Sequence, residues 1–275
     1  MATGTAIGSV GVIGAGRMGL PLIGHMVRNG LTVSAYDIDA TKQEAVANLG
    51  GRWAPTSSAL VRESDAVLVC VGYDRELREL ISTGGLLDNP RRGTIVAVLS
   101  TVHPRTVQEL AEVAAGCGVH LVDSTVARGG RAADEGTLLA FIGGPADVVE
   151  RLKPVFACFS SDIVHVGGVG AAQVAKAANN LVMWACLIAN HEALALSKRF
   201  GVDVDQLRQA LLMSSADNYV LRHWGENTME WAEDDMAIVR SMAQDVGIDL
   251  PQAGLNRELC PVLKPKRFKL DEYGI

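Results

Sequence analysis

Apolar and polar positions along the first 165 or so residues change period repeatedly. Residues 6–13 form a largely apolar run that predicts a buried strand, and residues 20–27 space their apolar side chains as an amphipathic helix does. Gly30 stands where that helix should stop, and residues 31–36 predict a second strand. Further strand-like runs fall at 65–71, 93–99, 120–122, 138–142 and 163–166, with helical stretches such as 106–115 between them. Strands joined through helices predict a parallel, doubly wound sheet with helices on both faces. The pattern breaks at Gly167-Gly168-Val169-Gly170. From Ala171 to about Phe200 the chain reads as one long apolar helix, and shorter helices are expected around 204–213, 235–245 and 251–259. The expectation is an α/β domain over 1–166 followed by an all-α domain over 167–275 built on the long helix. Ligands of open α/β sheets bind at the carboxyl ends of the strands, so a substrate cleft is expected where the halves meet.

The first strand-to-helix turn carries chemistry. It reads Gly14-Ala15-Gly16-Arg17-Met18-Gly19, and the second strand ends in Tyr36-Asp37. Gly14 permits a tight turn, Gly16 lets a diphosphate approach the backbone, and Gly19 lets helix and strand pack closely. The helix that opens there offers free N–H groups and a positive dipole end to phosphates. Gly19 and Asp37 are 37 − 19 = 18 residues apart, near the ~20 expected for an acid that binds the adenosine ribose. A carboxylate there accepts from the ribose 2′-OH of NAD and repels the 2′-phosphate of NADP. Ile38-Asp39-Ala40 supplies no arginine to offset it, so NAD is expected over NADP. The alternative for Asp37 is an ordinary turn residue.

Charge and composition narrow the field. The 275 residues carry a net charge of −6, which disfavours nucleic acid and anionic membranes as partners. No apolar stretch approaches the ~20 residues of a membrane span, and the first apolar run lacks a basic flank, so neither a span nor a signal peptide is expected. The five cysteines (Cys70, Cys117, Cys158, Cys186, Cys260) are scattered. They read as reduced thiols of a cytoplasmic protein, and no cluster has metal-ligand spacing.

The long helix holds one conspicuous charge. Lys176 is surrounded by Ala, Val, Leu and Trp, and Asn180 lies one turn further on the same face. Either Lys176 snorkels to solvent, or it is buried with its pKa drawn towards proton-transfer chemistry. His191-Glu192 is a rival acid/base pair, but 191 − 176 = 15 residues span roughly 22 Å of helix. A structural role is therefore favoured for His191.

Taken together, the motifs resemble the β-hydroxyacid dehydrogenases, the family of 3-hydroxyisobutyrate dehydrogenase and tartronate semialdehyde reductase within the 6-phosphogluconate dehydrogenase superfamily. The resemblance covers nearly the whole chain to about Pro251. It rests on the turn 14–19, on Ser100-Thr101-Val102, on the segment from Asp123-Ser124-Thr125-Val126 to Gly143-Gly144, and on Gly168-Val169-Gly170 with Lys176 and Asn179-Asn180. It implies a Rossmann-type domain, an NAD-dependent oxidoreductase and hydride exchange with a small β-hydroxy acid or its semialdehyde. Lys176 and Asn180 are the implied catalytic pair. Gly14, Gly16, Arg17, Met18, Gly19, Asp37, Val71 and Thr101 are the implied cofactor contacts. Thr101, Ala127, Arg128, Gly129, Gly130, Lys176, Asn180 and Asp234 are implied at the substrate. Homodimers or homotetramers are expected.

Three departures bear on the substrate. Ala127 replaces a serine and Arg128 a glycine of the usual family segment, as in the sulfolactaldehyde reductase branch. An Arg128 fork that binds a sulfonate or a distant carboxylate is expected. Asp234 stands where the family has a lysine, which suggests a neutral or amine-bearing group on the substrate. A non-catalytic NAD-binding module is the alternative from another class. After Pro251 the chain is short for the family, and Cys260-Pro261 is expected to break the last helix early. The tail beyond it is expected to reach a neighbouring subunit or remain unstructured.

Overall fold

The structure is a computed structural model that describes residues 6–81, 85–226 and 228–274. Eight strands form one sheet: β1 (Ser9–Ile13), β2 (Thr32–Tyr36), β3 (Arg52–Trp53), β4 (Ala66–Val69), β5 (Ile95–Val98), β6 (His120–Ala127), β7 (Leu138–Gly143) and β8 (Ser160–Gly167). Their order is β3-β2-β1-β4-β5-β6-β7-β8, so the first six follow the doubly wound dinucleotide-binding order. All residues of β4 and β5 are buried. Such runs carry apolar residues on both faces because helices cover both.

One face of the sheet packs α1 (Gly19–Arg28), α6 (Gly129–Glu135) and α7 (Ala146–Phe156) over Val12, Leu68 and Ala97, with Leu22, Ile23, Met26 and Phe156 fully buried. Val46 of α2 (Gln43–Asn48) joins this core. The other face packs α3 (Ser57–Glu63), α4 (Asp74–Ile81) and α5 (Pro104–Gly116) over Val67, Val69, Val96 and Val98. Each buried Leu or Ile contributes about 1.5–3 kcal/mol of transfer free energy.

The sheet is not wholly parallel. β6 and β7 pair antiparallel, with Thr125 opposite Phe141. Only 138 − 127 − 1 = 10 residues connect them, fewer than the dozen or so a parallel crossover needs. The chain therefore turns back through the short α6, and β8 then adds parallel to β7.

The remaining helices are α8 (Ala171–Arg199), α9 (Val204–Leu212), α10 (Tyr219–Arg222), α11 (Ala232–Val246) and α12 (Pro251–Leu263). The chain divides into two compact units, Met1–Lys176 and Ala177–Ile275. The division falls 176 − 166 = 10 residues later than the sequence pattern suggests, inside α8. The first turns of α8 belong with the sheet because buried side chains of the sheet domain bind them, as described below. In the second unit Trp184 Nε1 donates to Asp235 Oδ2 at 3.0 Å and Asn256 Nδ2 donates to Leu181 O at 3.0 Å, which tie α11 and α12 to α8. No helix among the described residues is long and apolar enough to cross a membrane.

The tail differs from expectation. α12 continues through Pro261 to Leu263, and the residues beyond fold back onto the end of α8 in the same chain. Phe268 N–H donates to His191 Nε2 at 2.9 Å, Lys198 Nζ donates to Asp271 at 2.6 Å, and Arg199 donates to Tyr273 O at 2.7 Å. His191 is fully buried, with ring centroids of Trp224 and Phe268 at 4.5 and 5.2 Å. Its Nδ1 lies 2.8 Å from Leu187 O. A carbonyl only accepts and an amide N–H only donates, so the ring is neutral with its proton on Nδ1. Burial pushes its pKa down, with Arg267 acting in the same direction. His191 is thus a structural residue, as its distance from Lys176 along the helix suggested.

Candidate active site

The glycines of the first turn answer to different demands. Gly14 has φ +97°, and a Cβ on it would stand 2.3 Å from Cys70 O. A Cβ on Gly19 would stand 1.9 Å from Gly14 O. Both are required by the chain itself. Gly16 is exposed, and a Cβ there would meet nothing within 4 Å. Neither packing within the chain nor a positive φ explains it. No side chain caps the start of α1.

Asp37 is half-buried and held in place. Its Oδ2 accepts from Ala15 N–H at 2.7 Å and its Oδ1 from Asp39 N–H at 2.9 Å. The end of β2 is thereby joined to the glycine turn, within which Met18 packs on the core. Val71 and Thr101 follow β4 and β5 at the same carboxyl edge, linked by Ser100 Oγ donating to Val71 O at 2.9 Å. Arg17 of the turn pairs with Asp134 of α6.

The second cluster surrounds the start of α8. Asp123 of β6 is fully buried and accepts from Gly170 N–H at 2.7 Å and Gln173 N–H at 2.9 Å. Burial raises its pKa above the usual carboxylate range, while those N–H groups pull in the opposite direction. Gln173 is buried too; its Nε2 donates to Ser100 O at 2.8 Å and its Oε1 accepts from Val102 N–H at 2.9 Å. The segment around Thr101 is thus clamped to α8. Thr125 Oγ1 donates to Ala172 O at 2.9 Å. These contacts aim Lys176, whose Nζ donates to Val126 O at 2.8 Å. The ammonium is half-buried beside the residue that precedes Ala127-Arg128-Gly129-Gly130. Asn180 lies one turn further along α8, buried, with its Oδ1 accepting from Asn179 Nδ2 at 3.0 Å.

Arg128 has partners within the sheet domain. Its backbone is left-handed, at φ +83°. Its guanidinium donates to Asp162 Oδ2 at 2.7 Å, Ser161 Oγ at 2.8 Å and Thr137 O at 3.0 Å. It thereby ties the start of α6 to β8, and it holds the Asp162 carboxyl below its usual range. Gly129 follows at φ +77°. Asp234 is exposed in the first turn of α11 in the second unit, next to the buried Asp235 that holds Trp184.

Asp123 and Gln173 went unassigned in the sequence pattern. Asp123 acts on residues 47 and 50 positions further along the chain, and nothing local signals a helix cap at that range. No group of three metal-ligating side chains occurs among the described residues.

Residues 9–168 match the NAD binding domain of 6-phosphogluconate dehydrogenase, and residues 170–269 match the NAD-binding domain of NADP-dependent 3-hydroxyisobutyrate dehydrogenase. An uncharacterised oxidoreductase of Mycobacterium tuberculosis is 30% identical over 271 residues, covering 90% of each chain. The 3-hydroxyisobutyrate dehydrogenase of Pseudomonas aeruginosa is 29% identical over 213 residues, covering 77% of this chain and 72% of that one. Among solved structures, a 3-hydroxyisobutyrate dehydrogenase of Mycobacterium tuberculosis with L-serine superposes with a TM-score of 0.86 at 21% identity, covering 96% of this chain and 95% of that chain. The chain belongs to the β-hydroxyacid dehydrogenase family of nicotinamide-dinucleotide-dependent oxidoreductases.

Proposed function

We propose that this protein is an NAD-dependent dehydrogenase or reductase that acts on a small β-hydroxy acid or its semialdehyde, with Lys176 as the general acid/base. The observation that carries this reading is the seat of Lys176, half-buried with Nζ on Val126 O at 2.8 Å, at the mouth of the 127–130 loop. The glycine turn fits the cofactor, since Gly16 is bare for no reason internal to the chain and Asp37 presents a fixed carboxylate. Asp37 and Asp39 disfavour a 2′-phosphate, which supports NAD over NADP.

When bound, the nicotinamide takes or gives the hydride. Lys176 gives a proton from Nζ to the substrate oxygen in reduction and takes it back in oxidation. Val126 O holds the ammonium in place. Asn180 orients the same oxygen from the next turn of α8. Thr101 and the backbone N–H groups of Gly129 and Gly130 receive the acid group. Nη1 of Arg128 is taken up by Asp162, Ser161 and Thr137, which favours a carboxylate held largely by backbone over a sulfonate held by that side chain. A homo-oligomer, dimer or tetramer, is part of this reading.

The test is NADH absorbance with NAD or NADP and a panel of 3-hydroxyisobutyrate, 3-hydroxypropionate, glycerate, serine and dihydroxypropanesulfonate. Turnover of a carboxylic acid with NAD is expected, and Lys176→Ala is expected to lower kcat about 10²–10⁴-fold while NADH still binds. An unchanged rate in that variant would exclude Lys176 as acid/base. Tight NADH binding without turnover of any acid would favour an NAD-binding module.

A further inference from the structure

The 128–130 loop leads into α6, which is held by the glycine turn and by α1. Arg17, the residue after Gly16, donates Nη1 and Nη2 to the two Asp134 oxygens at 2.7 and 2.6 Å. Its guanidinium also lies against the start of α6, where a Cβ on Gly130 would stand 2.6 Å from Nη2. At the far end, His25 Nε2 lies 3.1 Å from both Ala133 O and Asp134 O. The His25 ring fills the place a Cβ on Gly136 would take, 2.8 Å from Cε1. Arg28 Nη2 is 2.9 Å from His25 Nδ1. Two carbonyls can only accept and an arginine can only donate, so Nε2 donates to the carbonyls and Nδ1 accepts from Arg28.

Stability does not account for this arrangement. Arg17 and Asp134 are 61% and 54% exposed, and such a pair contributes only about 0–1 kcal/mol. What a two-pronged ion pair supplies is orientation. Arg17 sits within the turn read as the diphosphate site, and its partner sits on the helix that carries the loop read as the acid site. Arg128 and Gly129 hold that loop in left-handed backbone, a conformation that a small shift of α6 would disturb.

We propose that Asp134 is a positioning residue that, through Arg17, transmits occupancy of the dinucleotide turn to the 128–130 loop, so that a seated dinucleotide orders the acid site. This rests on the dinucleotide and acid sites proposed above. By linkage, a bound acid tightens the dinucleotide by the same factor.

Hydrogen–deuterium exchange on the whole protein tests this without turnover. NADH is expected to slow exchange both at residues 14–19 and at residues 129–136, the latter by about fivefold or more. In Asp134→Asn, slowing at 14–19 is expected to persist and slowing at 129–136 to vanish, while Asp134→Glu keeps both. Asp134→Asn is expected to melt within about 2 °C of wild type, because the pair is exposed. Equal slowing of 129–136 in wild type and Asp134→Asn would overturn the proposal, as would slowing confined to 14–19 in wild type. Absence of slowing at both segments would overturn the dinucleotide site itself, and the coupling with it.

Discussion

At the scale of single residues, three glycines in one motif do three different things. Gly14 and Gly19 are demanded by the turn and by close packing, whereas Gly16 faces open space. Gly16→Ala is therefore expected to fold with an unchanged melting temperature and to lose about tenfold or more in NADH affinity, read by fluorescence titration. Gly14→Ala is expected to lose stability, because φ +97° and the Cys70 carbonyl both oppose a Cβ. Equal losses of stability in the two variants would show that Gly16 serves the fold after all. The motif was legible in the sequence because its spacing is local. The partners of Arg128 were not legible for the opposite reason. Its partners Thr137, Ser161 and Asp162 lie 9 to 34 residues away, and they reach it only because β6, β7 and β8 are neighbours.

At the scale of elements, the start of α8 decides where Lys176 points. Asp123 accepts two N–H groups there in a fully buried setting. Asp123→Asn replaces one acceptor by an amide donor that faces an N–H. It is expected to cost about 1–3 kcal/mol, read as a lower urea midpoint, and to lower kcat with little change in NADH affinity. A variant with unchanged midpoint and kcat would show that the cap neither holds α8 nor aims Lys176. The helix itself was plain from its apolar length, and the Lys176–Asn180 spacing placed them on one face. Its cap was hidden, since the aspartate lies in a strand far upstream. The reversal of β7 was also hidden: a 10-residue connection with a short helix resembles the crossovers around it in hydropathy, and only its length tells against a parallel return.

At the scale of the whole molecule, segments far apart in sequence make the buried polar sites. His191 and Phe268 are 77 residues apart and share a hydrogen bond in an aromatic pocket. The pKa of His191 is lower folded than unfolded, so the unfolded chain binds more protons. Stability from the neutral ring is complete above an unfolded value of about 6.5 and is lost as pH falls through and below it. The melting temperature is expected to fall between about pH 7 and pH 5, and His191→Gln is expected to weaken that dependence. An undiminished dependence in the variant would assign it to other groups.

Hydropathy period, glycine spacing and one lysine in an apolar helix determined the two-part architecture, the dinucleotide turn and the candidate acid/base, because each is a pattern within a few turns of chain. The tertiary structure alone decided that Arg128 pairs with Asp162, that Asp123 and Gln173 set the start of α8, and that the tail closes over His191. These contacts join residues whose separation in sequence carries no period. They exist only because buried donors, acceptors and charges must find partners once the sheet and helices have excluded water.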